Sequence, residues 1–387
     1  MTINKFHFFL FLTILTTSNL SACGQTTTES VERTNASNIT ANDTQQLRQD
    51  IGEMLMVGFR GTSVTEKSTI VRDIQDYHVG SIILFEYDAP TGTHHRNIES
   101  PEQLKKLCAD LQKYGNNHLL IGVDQEGGNV ARLKVKDGFP STMTAQASAE
   151  AGDNTVEENA NTVASELSNA GINLNFAPCV DVNVNPQCPV IGKLGRSFSD
   201  NPNEVSHFAH IWIAAQNKKG VISCLKHFPG HGSASGDTHA GLVDITETWQ
   251  GIELQPYRKL ISEDSIDMVM VAHVINRRFG DNLPASLSPL VVTEKLRKEL
   301  GFNGVVVTDD LAMGAITKRY GFEEALKMAI LAGCDLLCLS NNGSRYDPNM
   351  VPSAVNAILG FVQGGILTAE QIHTSAERIR VLKKKVL

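Results

Sequence analysis

Downstream of residue 45 the chain alternates two patterns of apolar positions. Short, nearly continuous apolar runs occur at 53–59, 79–86, 118–124, 172–182, 220–227, 267–273, 304–310 and 334–340. Between them lie longer helix-like stretches, such as SPEQLKKLCADLQKYG at 100–115 and TEKLRKELGF at 293–302. Runs that are apolar throughout mark strands covered on both faces, unlike the alternation of a half-wet strand. Such strands separated by helices predict a parallel sheet with helices packed against it. Eight repeats in about 340 residues fit a closed (β/α)8 barrel of the TIM type. The alternative is a doubly wound open sheet, but the G-x-G-x-x-G turn of dinucleotide-binding sheets does not follow the first run.

The first 44 residues break this pattern. Lys5 precedes an apolar run at 6–15, and Leu20-Ser21-Ala22-Cys23 follows. A basic start, a short apolar stretch and small residues before the cut make a secretory leader, whereas a membrane-spanning helix needs about 20 apolar residues. LSAC resembles a bacterial lipobox, which assigns residues 1–22 to the leader and makes Cys23 the lipidated first residue. Residues 23–44 are polar and too poor in apolar side chains to fold alone, so they read as a flexible tether ahead of one domain at 45–387. The expected location is the cell envelope, outside the cytoplasm, with the membrane as a partner through Cys23. A net charge of −8 and the lack of a basic stripe argue against nucleic acid. Of the six cysteines after Cys23, Cys179 and Cys188 flank a loop and could pair in an oxidising compartment. The leading reading is that all six are small buried hydrophobes.

Ionisable residues collect where five of the eight runs end: Asp124, Asp181, Lys226 with His227, His273, and Asp309 with Asp310. Barrel enzymes build their sites at the carboxyl ends of strands, and core packing gives no reason for charge there. Neighbouring strand residues face opposite ways, so only one of Asp309 and Asp310 can point into the mouth. The stretch KHFPGHGSASGDTHAG at 226–241 follows the fifth run. Its histidines and aspartate could ligate a metal, yet Pro229 and Gly230 forbid the helix that sets i and i+4 side by side, and no zinc spacing is recognisable. They could also be incidental loop residues. Acid–base chemistry fits better, since an imidazole titrates near neutrality and Asp237 can bond the far nitrogen of His239. Glycines at 230, 232 and 236 would serve as hinges that swing this pair over a bound substrate. Lys226 and His227, at the rigid strand end, would hold that substrate.

KHFPGHGSASGDTH together with GVVVTDDLAMGAI resembles glycoside hydrolase family 3, in its β-N-acetylglucosaminidase branch. VDQEGGNVARL, GINLNFAPCVDVN, GRSFSDNP and ELQPYRKLI match that branch, and the resemblance runs from Leu47 to the carboxyl end. It implies a retaining exo-β-N-acetylglucosaminidase that forms a glycosyl-aspartate on Asp309, with His239 as general acid/base and Asp237 as its partner. It further implies that Asp124, Arg196, Lys226 and His227 grip the sugar hydroxyls, with no metal and no organic cofactor. A histidine where retaining glycosidases place a second carboxylate departs from the general rule while matching this branch. The implied partner is a GlcNAc-containing oligosaccharide, from muropeptides or chitin fragments. The β-glucosidase branch takes its acid/base from a domain after the barrel, and the expectation here is a single catalytic domain that supplies its own. Two other readings stay open. One is phosphorolysis, since an imidazole repels phosphate less than a carboxylate does; the other is a sugar-binding lipoprotein without turnover. The long loop EYDAPTGTHHRNIESPEQ at 86–103 departs from a bare barrel and bears on aglycone preference, while His94 and His95 within it read as solvated.

Overall fold

A computed structural model describes residues 41–387. The expected leader, the lipidation site Cys23 and the tether up to residue 40 lie outside the described residues. Each of the eight apolar runs contains one strand: β1 (Leu55–Val57), β2 (Ser81–Ile83), β3 (Leu120–Val123), β4 (Leu174–Asn175), β5 (Ile222–Phe228), β6 (Met268–Val271), β7 (Val305–Thr308) and β8 (Leu337–Leu339). Every residue of these strands is buried, as continuous apolar runs require. They pair in parallel in the order β7-β6-β5-β4-β3-β2-β1-β8. A bridge between Val307 and Leu336 returns β8 to β7, with Thr308 N–H donating to Leu336 O at 3.0 Å. The ring is therefore a TIM-type barrel and not an open sheet.

Helices fill the crossovers, and their ends follow the local sequence. Ser100 Oγ accepts the Gln103 N–H (3.2 Å) ahead of Pro101–Tyr114, and Asn201 Oδ1 accepts the Asn203 N–H (3.0 Å) ahead of Pro202–Asn217. In both, a polar cap followed by proline satisfies the first turn and presets its backbone. The helix expected at 293–302 starts earlier, at Leu290–Glu299, and is wound with i→i+5 bonds. The first helix, Ala41–Glu53, packs against Ala369–Lys383, with Asp50 bonded to Arg380 (2.5 Å) and His373 (3.1 Å). Residues 41–44 thus begin a helix instead of ending the tether. All six cysteines after Cys23 are buried and free. No helix among the described residues is long and apolar enough to cross a membrane.

Two features shape the ends of the barrel. At the amino-terminal end, the fully buried Asp335 accepts from Arg297 (2.5 Å), Arg378 (2.9 Å), Ser375 Oγ (2.9 Å) and Val306 N–H (2.9 Å). It ties β7 to the segment just before β8, where pairing is limited to the Val307–Leu336 bridge. At the mouth, the long loop after β2 folds into a hairpin of Tyr87–Asp88 and Thr93–His94. Asn342, after β8, donates to Tyr87 O (2.9 Å) and accepts from Ala89 N–H (2.9 Å), which pins that hairpin. His94 and His95 are exposed.

Candidate active site

The floor of the mouth is a charged network assembled from β3, β5 and the loops after β3 and β4. Lys226 Nζ, on β5, lies 2.6 Å from Asp124 Oδ1 and 2.6 Å from Glu126 Oε1. Arg196 grips the same Glu126 with both arms of its fork, Nε at 2.8 Å and Nη2 at 2.6 Å. Its Nη2 also lies 3.1 Å from His227 Nε2. On the other side of that ring, His227 Nδ1 is 2.7 Å from Asp181 Oδ2. Asp181 Oδ1 accepts the backbone N–H groups of His227 (3.3 Å) and His231 (2.7 Å). Arg132 closes the near edge, 3.5 Å from Asp124 and 3.6 Å from Glu86. It is carried there by a turn through Gly127 and Gly128, both at positive φ, in which Gln125 Oε1 accepts the N–H groups of Arg132 and Leu133.

Burial opposes charge throughout this floor, and pairing overcomes it. Burial would raise the Glu126 carboxyl, but Arg196 and Lys226 bring it down to about 2. Asp124 is likewise held below its ordinary value by Lys226 and Arg132 against burial, and Asp181 by His227. Lys226 sits above its ordinary value, its two carboxylates outweighing desolvation. All four groups are therefore ionised at neutral pH.

The two aspartates after β7 diverge as strand geometry requires. Asp310 is consumed by structure: it accepts Ser340 N–H (3.0 Å), Ala312 N–H (3.0 Å) and the Ser340 hydroxyl, and burial raises its carboxyl. Asp309 accepts only the Asp310 N–H (2.8 Å) among the described residues. Burial would raise it, yet the nearby rings of His273, His227 and His239 hold it below its ordinary value. Buried His273 bonds Asp310 O through Nε2 (2.9 Å) and the Ser286 hydroxyl through Nδ1 (2.6 Å). A carbonyl only accepts, so Nε2 carries the proton. Asp309 is thus a charged carboxylate with a free oxygen at the barrel mouth.

Asp237 and His239 form a pair in the loop after β5. Asp237 Oδ1 lies 2.7 Å from His239 Nδ1 and accepts its backbone N–H at 2.8 Å. The His239 side chain is 69% exposed, so Nε2 remains open to a ligand. The loop docks on the chain that follows Asp309: Gly314 N–H donates to His239 O (3.2 Å), Ala315 N–H to Thr238 O (3.1 Å) and Lys318 Nζ to Ala240 O (2.7 Å). A Cβ at Gly314 would lie 2.6 Å from His239 O, so only glycine permits this approach.

The structure therefore brings Asp124, Arg196, Lys226 and His227 into one network, with Asp309 and the Asp237–His239 pair at the same mouth. Two expectations change. Gly230 and Gly232 are not hinges: a Cβ would lie 2.6 Å from Glu253 Cβ at the first and 1.8 Å from Val182 O at the second. Both are buried, and both are glycine because the backbone is packed there. Arg196 has most of its donors committed to Glu126, His227 and Val190 O (2.7 Å), so it organises the floor more than it reaches outward. Glu126 and Arg132 escaped the sequence reading, although they stand two and eight positions after Asp124 in VDQEGGNVARL. The metal-like loop set does not assemble. The ligand atoms of Cys179, Asp181 and His227 do lie within 4.8 Å of one another. There the Cys179 thiol donates to Asp181 (3.1 Å), and burial raises it well above its ordinary value. A neutral thiol turned onto the carboxylate suits a hydrogen-bond network and not a metal, which needs the thiolate.

Residues 46–382 match the glycosyl hydrolase family 3 N-terminal domain. The chain belongs to this family. It is 31% identical to beta-hexosaminidase A of Pseudoalteromonas piscicida, over 87% of this chain and 61% of that protein. It is 35% identical to a beta-hexosaminidase of Neisseria meningitidis serogroup B, over 70% of this chain and 74% of that one. Among solved structures, a glycoside hydrolase family 3 beta-N-acetylglucosaminidase from Paenibacillus sp. FPU-7 superposes with a TM-score of 0.79 at 36% identity, over 88% of this chain and 62% of that one. This family 3 chain thus spans about three fifths of two of these relatives.

The depressed carboxyls link the floor to acid stability. Glu126, at about 2 against 4.5 when unfolded, contributes stability that is present above pH 4.5 and is lost as the pH falls toward 2. Its share is on the order of 3 kcal/mol. Denaturant unfolding across that window should show a decline that is shallower in Glu126→Gln. Equal slopes in the two proteins would contradict the pairing.

Proposed function

We propose that the protein is a retaining exo-β-N-acetylglucosaminidase, acting on terminal β-linked GlcNAc of muropeptides or chitin-derived oligosaccharides. The observation that carries this reading is the ionised Asp309, with a free oxygen, beside a loop that presents His239 Nε2 and backs Nδ1 with Asp237. The beta-hexosaminidase and beta-N-acetylglucosaminidase names of its relatives support the sugar, and the geometry supports the chemistry.

In this mechanism Asp124, Lys226 and His227 hold the sugar hydroxyls through charged, directional bonds. Asp309 attacks the anomeric carbon, and the bond to the leaving oxygen breaks as His239 Nε2 gives that oxygen its proton. Asp237 stabilises the imidazolium before the transfer and keeps the proton on Nδ1 afterwards. The neutral ring then takes a proton from water through Nε2, and the hydroxide oxygen displaces Asp309. Two inversions return the sugar in its original configuration.

The two groups separate kinetically. Asp309→Asn should abolish turnover of every substrate, because the nucleophile is lost. His239→Ala should slow release of a sugar alcohol by roughly 10²–10⁴-fold, since that leaving group needs a proton. With a nitrophenyl glycoside the same variant should load quickly and then stall, giving a burst. Equal slowing of both leaving groups without a burst would remove His239 from the role. Turnover that requires inorganic phosphate would point to phosphorolysis instead.

We also propose that the protein is held in the cell envelope through lipid on Cys23, which the LSAC sequence and the polar stretch after it support. Stable anchoring takes more than one acyl chain. Cys23→Ser should move the protein from the membrane fraction to the soluble one. A wild type that is already soluble would end this reading.

A further inference from the structure

Glu253, the third residue of the short 3-10 turn Gly251–Leu254, stands outside the charged floor. It is fully buried, and no Lys or Arg pairs with it among the described residues. Its Oε1 accepts the Gln250 N–H (3.1 Å) and its Oε2 accepts the Ser233 N–H (3.3 Å). Burial without a cation pushes the carboxyl up to about 7. A buried acid with no cation beside it is expensive to keep, and breaches of this kind concentrate at functional sites.

Its position suggests what it does there. Ser233 lies at the base of the 230–241 loop, and Gly230 packs directly on the Glu253 side chain. The rest of that base is fastened by other groups. Trp249 Nε1 donates to Pro229 O (3.0 Å), Asn185 Nδ2 to Ala234 O (3.0 Å), and Asp181 takes the His231 N–H (2.7 Å). The base then reaches the tip through His231, whose Nε2 lies 3.4 Å from the Thr238 hydroxyl. Thr238 is buried between Asp237 and His239. His231 thereby links the base of the loop to the residue between the pair.

We infer that Glu253 is a positioning residue, which fixes the base of the loop through Ser233 so that the Asp237–His239 pair meets Asp309 in register. This rests on the reading of His239 as acid/base. A helix cap alone would give Glu253 the Gln250 bond but no reason to reach across to Ser233.

Glu253→Gln tests it, because the amide keeps the shape while one of the two backbone N–H groups must then face an NH₂. With a β-linked GlcNAc disaccharide, kcat should fall roughly 10- to 100-fold, part of the general-acid contribution, with KM nearly unchanged. The burst from a nitrophenyl glycoside should keep its rate, and azide, a nucleophile that needs no base, should restore its steady state. Equal losses with both leaving groups, or unchanged kinetics with a lowered Tm, would reduce Glu253 to a structural cap and overturn the inference. Should Glu253→Gln fail to fold, Glu253→Asp, which withdraws the carboxylate by one methylene, carries the same readouts. His239→Ala run beside it separates the two claims. If His239→Ala lacks the leaving-group signature, the acid/base reading fails and this inference with it; if only Glu253→Gln lacks it, this inference alone fails.

Discussion

Lys226 is buried between two carboxylates, and the mouth of the barrel is organised around that contact. With its side chain 2% exposed, it would be intolerable alone, and Asp124 and Glu126 would be intolerable without it. Each further charge follows from the last. Glu126 has a second oxygen to satisfy and takes Arg196; Arg196 borders His227; His227 is held from behind by Asp181. Replacing such a cluster with apolar side chains commonly leaves stability unchanged or raises it, so stability does not account for its presence. A fixed set of ionised donors and acceptors, already desolvated, is what a polyhydroxyl ligand requires if binding is not to spend its energy ordering the protein.

Against this rigid floor the acid/base pair is open. His239 is largely exposed while the floor is nearly closed to solvent. The loop that carries it is tight at its base, where Gly230 and Gly232 let backbone and side chains approach, and is fastened at its tip by Gly314, Ala315 and Lys318. Between these two fastenings the chain comes nearer the surface at Ser235 and Gly236. Small adjustments of the imidazole over a fixed sugar fit this arrangement better than the swing of a whole lid.

The fold was legible because the barrel strands are buried on both faces, which makes them apolar throughout and leaves the charges at their ends conspicuous. Asp124, Lys226, His227 and Asp309 stood out for that reason. Glu126 did not, because it lies past the strand in a glycine turn whose path the sequence does not disclose. Glu253 resembles an ordinary cap residue until Ser233 is seen on its other oxygen. The glycines misled for a physical reason: a hinge and a close backbone contact both require the missing side chain, and only packing tells them apart. Residues 41–44 were lost to the tether because a polar first helical turn has the composition of a linker.

The decisive measurement is the mass and site of the adduct that accumulates when His239→Ala is mixed with a nitrophenyl β-GlcNAc. Peptide mapping should find one N-acetylhexosamine residue on the peptide that contains Asp309, and removing that carboxylate should remove the adduct. A family 3 chain that used the substrate's own acetamide as nucleophile would turn over without any adduct. Turnover with no adduct, or an adduct on any other residue, would contradict the division of labour between Asp309 and the Asp237–His239 pair.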